Sequence, residues 1–193
     1  MLLMLPSLPA EFSIKCRMND NTRQMKLDAT DLRILGELQR DGSLSNVELA
    51  KRVHLSPSPC LARVKALEAA GIIVRYVALA NAAALGLGLN VFISISLKSQ
   101  DKEALANFEQ RIAEHDEVME CYLMTGDSDY LIRVAVANIG ALEHFILEQL
   151  TPIPGIDKIR SSFALKQVSY KTALPLAHGH KDKAHTRQYR HRA

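Results

Sequence analysis

At 193 residues, 48% apolar, 5% aromatic and without tryptophan, the chain has room for one large domain or two small ones built on aliphatic cores. Its net charge of +3 is unevenly spread, at +2 over residues 26–80, −4 over 81–174 and +4 over 175–193. The distant Cys16, Cys60 and Cys121 lack metal spacing and fit a reducing cytoplasm, and no apolar run approaches the roughly 20 residues of a membrane span.

Residues 1–25 mix Pro, Asn, Asp and Arg without periodicity and read as a disordered extension, with Met18 or Met25 as alternative starts. The apolar opening has no basic leader and is interrupted by Pro6 and Pro9, which argues against a secretory signal. Asp28 caps a first helix whose Leu32, Leu35 and Leu38 form a stripe, and Asp41-Gly42 stops it. Ser45 with Glu48 three residues later reads as a capping box opening a second helix, with Leu49, Ala50 and Val53 on its apolar face. His54 and Leu55 fill a tight turn, Ser56 caps a third helix, and Pro57 and Pro59 sit in its first turn, where the missing N–H costs nothing. Leu61, Val64 and Leu67 are expected to face inward, leaving Ser58, Ala62, Arg63 and Lys65 outside. This is the plan of a helix-turn-helix, although an ordinary helical hairpin has the same outline.

Gly71 suits the C′ position of the third helix, and residues 72–79 are β-branched enough to read as a strand, either a wing or a pairing edge for a second copy. Residues 81–88, rich in Ala and Gly, read as a hinge. Leu89, Val91, Ile93, Ile95 and Leu97 alternate with Asn90, Phe92, Ser94 and Ser96 as a half-buried strand. A helix follows over 101–114, strands over 118–125 and 130–137, and a helix over 139–150 with Leu142, Ile146 and Leu150 inward. One or two strands over 156–173 close a β-α-β-β-α-β order, the ferredoxin-like plan with two helices on one sheet face. Phe92, Met119, Cys121 and Leu123 are expected on the open face and too apolar for water, so a dimer through this sheet is expected. Residues 175–193 hold four histidines and five cations with few apolar residues, and read as a disordered basic tail. The expected domains are therefore a helix-turn-helix head over 26–80 and a sheet domain over 89–174, joined by 81–88.

The words LDATDLRILGELQRDGSLSNVELAKRVHLSPSPCLARVKALEAAGII, EVMECYLMTGDSDYLIRV, PIPGI and SSFALKQVSYKTALPL resemble the Lrp/AsnC, or leucine-responsive, transcription regulators over about residues 26–176. The resemblance implies an α+β chain: a winged-type helix-turn-helix head followed by a ferredoxin-like effector and assembly domain. It implies double-stranded DNA as partner, dimers assembling into octamers or similar rings, and an amino-acid effector held between dimers, with no further cofactor. It also implies control of amino-acid metabolism genes. The DNA-reading segment carried over runs from Asn46 to Lys65, and the effector turn is Gly126, Asp127, Ser128, Asp129 and Tyr130, with Leu123 before it and Ser162, Phe163 and Ala164 nearby. Ser162 is small and polar where some relatives carry a bulky residue.

On the reading helix, Ser58, Pro59, Cys60 and Ala62 stand at the N-terminal end that reaches base edges, the cap residue Ser56 is a further DNA-binding candidate, and Arg63 is the candidate for a guanine or phosphate contact. Lys51, Arg52 and Lys65 are phosphate candidates. In the effector turn, the N–H groups over 125–128, from Thr125 onward, could hold an α-carboxylate, and Asp127 or Asp129 its ammonium; the plainer reading is a hairpin turn. No nucleophile–base pair, metal-spaced ligand set or phosphate loop is present, so catalysis is not expected. The alternative to a sequence-specific regulator is a nucleoid-type architectural protein with little sequence preference.

Overall fold

The computed structural model describes residues 26–176. The expectations for 1–25 and for the tail beyond 176 lie outside the described residues. Backbone packing divides the described residues into two compact units, Leu79–Val168 and a second that joins residues 26–78 to residues 169–176.

The second unit is built on three helices, α1 (Ala29–Arg40), α2 (Asn46–Arg52) and α3 (Pro57–Ala69). Asp28 Oδ1 accepts from the N–H groups of Thr30 and Asp31, while Asp31 returns a carboxylate to the Asp28 N–H, so the full capping box is here. At α2 only half of the expected box forms: Ser45 Oγ accepts from the Glu48 N–H at 3.2 Å. Ser56 makes no side-chain cap bond, and α3 starts on Pro57 instead. His54 turns the chain between α2 and α3 at φ 59°, and Gly71 ends α3 at φ 69°, the left-handed C′ position expected of it.

The head's core is Ile34, Leu35, Leu49, Ala50, Val53, Cys60, Val64 and Leu67. Two inward assignments change. Ile34 is fully buried beside Leu35, so the α1 stripe is centred there, with Leu38 only packed at its edge. On α3 the buried stripe is Cys60, Val64, Leu67, and Leu61 is 42% exposed. Steps of four and three keep those three on one face, whereas Leu61 is rotated by about 100° from Cys60.

No strand forms between α3 and residue 89 among the described residues, so the expected strand over 72–79 is not made within the single chain. Without a partner strand its backbone folds onto the head: the N–H groups of Ile72 and Ile73 both donate to the Leu67 carbonyl, at 3.0 and 3.2 Å. Tyr76 then donates to Glu68 at 3.0 Å.

The sheet unit orders its strands β2-β3-β1-β4, from β1 (Leu89–Leu97), β2 (Val118–Leu123), β3 (Tyr130–Val136) and β4 (Ile156–Phe163), all antiparallel. One face is covered by α4 (Lys102–Ile112) and α5 (Ile139–His144), which bury Phe108, Ile112 and Leu142 against β1 and β3. This is the ferredoxin-like β-α-β-β-α-β plan. The second helix departs from expectation after His144, where the chain continues as a π-helical turn, Phe145–Leu150. Wider i→i+5 winding puts Phe145 and Leu150 on one buried side, so Ile146, expected inside, is only half-buried. Among the described residues, the segment after β4 adds no further strand.

Register decides the two sheet faces, because directly opposed residues share a side. Cys121 opposes Ile132 and Leu123 opposes Tyr130, both helix-side residues, so neither lies on the open face as expected. They remain exposed because β2 is an edge strand that the helices do not reach fully. The open face carries Phe92 as expected, with Leu131 and Tyr122, around an ion pair, Arg133 Nη2 to Glu120 Oε1 at 2.6 Å. Tyr122 also donates to Glu120, which the Arg133 guanidinium holds below the usual carboxylate range.

Candidate functional site

Two surfaces carry the residues singled out above: the outer side of the α2–α3 hairpin and the turn between β2 and β3.

The hairpin positions its reading helix from within. Asn46 Nδ2 donates to the Pro57 carbonyl at 2.8 Å, tying the start of α2 to the start of α3. Its Oδ1 is buried without a partner among the described residues, so Asn46 is turned inward rather than toward a groove. Cys60 is fully buried, burial pushes its thiol pKa up, and it packs instead of pointing outward.

Arg63 faces α1 and not the outer surface expected of it. Its Nη1 lies 2.7 Å from Asp28 Oδ2 and 2.7 Å from Asp31 Oδ1, and Asp31 is only 3% exposed. The guanidinium is held charged by these two bonds, and the Asp28 carboxyl is held below its usual range first by the Asp31 N–H and then by Arg63. The capping box of α1 therefore doubles as an anchor for the middle of α3. A D-x-x-D spacing at a helix start was the available signal for those acceptors. Its arginine partner lies 32 and 35 residues away, beyond any local pattern.

What remains outside is Ser56, Ser58, Pro59, Ala62 and Lys65 on α3, with Lys51 and Arg52 on α2, all exposed. Arg52 pairs with Glu48 at 3.3 Å and with Glu37 at 3.6 Å. Neither Lys51 nor Lys65 takes part in an ion pair among the described residues. The surface thus presents two uncommitted ammonium groups beside the small side chains of a helix N-terminus, a chemistry suited to phosphate and groove contact.

The second surface is tightly built at its base. Met124 N–H donates to the Asp129 carbonyl at 2.8 Å, and Asp129 N–H donates to the Ile95 carbonyl at 2.9 Å. The Asp129 carboxylate accepts from Leu97 N–H at 2.7 Å and from Gln100 Nε2 at 2.6 Å. Asp129 is therefore spent on anchoring the turn. Above it, the N–H groups over 125–128 donate to no acceptor among the described residues, Gly126 sits at φ 134°, and Thr125 and Asp127 are exposed. A short run of free amides beside a free carboxylate can receive a zwitterion.

The other effector candidates do not gather there. Tyr130 is 1% exposed, faces the helices and donates to Glu109 at 2.9 Å. Ser162 opposes Phe92 on the open face, Phe163 opposes Val91, and the Ala164 N–H donates to Asn90. The turn is joined to β1 at Ile95, so Phe163 lies four residues away along β1, about 13 Å, and across it on the far edge. Leu123, at the end of β2, does adjoin the turn and is 61% exposed.

The chain matches two family models, a winged helix-turn-helix DNA-binding domain over residues 27–74 and the Lrp/AsnC ligand binding domain over residues 90–174. It is 44% identical over 151 residues to the Bkd operon transcriptional regulator of Pseudomonas aeruginosa, covering 78% of this chain and 99% of that protein. It is 40% identical over 148 residues to the leucine-responsive regulatory protein of Escherichia coli K12, covering 77% of this chain and 90% of the other. Among solved structures, a transcriptional regulator of Neisseria meningitidis in complex with L-Met superposes with a TM-score of 0.76 at 43% identity, over 79% of this chain and 99% of that one.

Proposed function

Since the chain belongs to the Lrp/AsnC family of DNA-binding transcription regulators, we propose that it reads a specific operator with the α2–α3 hairpin and answers to an amino acid bound at the β2–β3 turn. The observation that carries the reading is the division of labour on α3. Its inner face is consumed by the core and by the Arg63 anchor, while Lys65, Ser58 and the neighbouring Lys51 stay uncommitted. In this assignment Arg63, Asn46 and Cys60 position the helix, Ser58, Pro59 and Ala62 meet base edges, and Lys51 and Lys65 meet phosphates. Ser56 and Arg52 lie beside the same backbone path.

The test uses operator and scrambled duplexes across a salt series. Lys51→Ala and Lys65→Ala should each lower the salt slope by about one and weaken both duplexes alike. Arg63→Ala should also weaken both, because it loosens the helix. A loss confined to the operator would instead make Arg63 a base reader. Equal affinity of the unmodified protein for both duplexes would favour the architectural alternative.

For the effector, the free amides over 125–128 take the α-carboxylate and Asp127 the ammonium, with Leu123 beside the side chain. The L-Met complex of the Neisseria relative supports this ligand class. Because Ser162, Phe163 and Ala164 stand far from the turn within one chain, their part in the site requires a neighbouring copy. That fits self-association into dimers through the sheet, and from these into an octamer or similar ring, within the cytoplasm. The proposed targets are amino-acid metabolism genes. In a thermal-shift screen of the amino acids, L-Met or L-Leu should raise the melting temperature, and Asp127→Asn should abolish the shift while DNA affinity persists. An unchanged shift in that variant would remove Asp127 from the site.

A further inference from the structure

The outer side of α1 holds a partner that is not part of the helix-turn-helix. After β4 the chain runs without regular structure, and its last described residues belong to the same compact unit as the head. There Leu174 N–H donates to Gln39 Oε1 at 2.6 Å, and Gln39 Nε2 donates back to the Leu174 carbonyl at 3.4 Å. One side-chain amide thus satisfies both backbone groups of a single residue, as a neighbouring strand would. Two positions on, Leu176 is half-buried and packs on the head's core cluster. Its Cδ1 lies 3.9 Å from where a Cβ on Gly36 would stand, so Gly36 forms the floor beneath it and any side chain much larger than methyl would lift it off. Pro175 biases Leu174 toward the extended conformation that presents both backbone groups sideways, so little order is lost on docking.

We propose that residues 169–176 are a strap that completes the DNA-binding head, docked on α1 through Gln39 and Leu176, and that releasing it loosens the head. Among the described residues the head has eight buried apolar residues besides what the strap adds, which is few for an independent unit. The regulatory half rests on the DNA-binding reading above; the docking half does not.

Residue-resolved amide hydrogen exchange on the full chain, without DNA, tests the docking. Leu174 N–H should exchange at least tenfold more slowly than a free chain in the unmodified protein. That protection should vanish in Gln39→Ala and in Gly36→Phe, and survive in Gly36→Ala. Free-chain exchange at Leu174 in the unmodified protein, or protection that survives Gln39→Ala, would overturn the strap. Operator affinity is measured separately: Gln39→Ala should weaken it about fivefold, as the released strap leaves only about a fifth of the heads in the binding-competent arrangement. Unchanged affinity alongside lost protection would overturn the regulatory half alone.

Discussion

Leu67→Ala is expected to cost the head about 2–5 kcal/mol and to abolish binding to operator and scrambled DNA together. Leu67 is fully buried, and its carbonyl also receives the N–H groups of Ile72 and Ile73, so it holds both α3 and the chain that follows. A unit this small has a stability of the same order as that loss, so its folded fraction collapses. The measurement is the melting of the head followed by amide exchange in α3, alongside the salt-series titration. Full-strength DNA binding by Leu67→Ala would mean that α3 is not held by this core. The contrast with Lys65→Ala is informative, since that change removes a surface charge and should leave the melting untouched.

Phe108→Ala is expected to destabilise the sheet unit by about 3–5 kcal/mol. The ring is fully buried, with its centroid 4.4 Å from that of Tyr130 at 38°, on the inner side of α4. Chemical denaturation followed by circular dichroism checks it. Tyr130→Phe is the companion variant: it removes only the hydroxyl that donates to Glu109 and should cost about 1 kcal/mol. Because Tyr130 faces the helices, the amino-acid shift should survive Tyr130→Phe. Loss of that shift with the fold intact would bring Tyr130 back into the effector site.

These expectations also mark where local pattern was sufficient. Gly71 could be placed at a helix end from its position after a periodic segment, because a left-handed C′ residue is a local requirement. The inward turn of Cys60 is of the opposite kind. Cys60 and Leu61 are neighbours on a helix, and which of them turns inward depends on the stripe completed by Val64 and Leu67 against α1 and α2. Cys121 and Leu123 failed similarly: alternation shows that a strand has two faces, but only pairing with β3 says which face is which.

By itself, then, the sequence determined what short-range physics determines: the α1 cap at Asp28, the proline start of α3, the alternating β1 and the element order that makes the sheet ferredoxin-like. It also determined the family, since those words match the helix-turn-helix and Lrp/AsnC ligand-binding models over residues 27–74 and 90–174. Tertiary structure alone decided how the polar side chains are spent. Arg63 goes to Asp28 and Asp31, Asp129 to Leu97 and Gln100, and Gln39 to Leu174 across 135 residues. Each charged or amide group takes the partner that folding brings within about 3 Å. No periodicity encodes that partner, because it comes from another part of the chain.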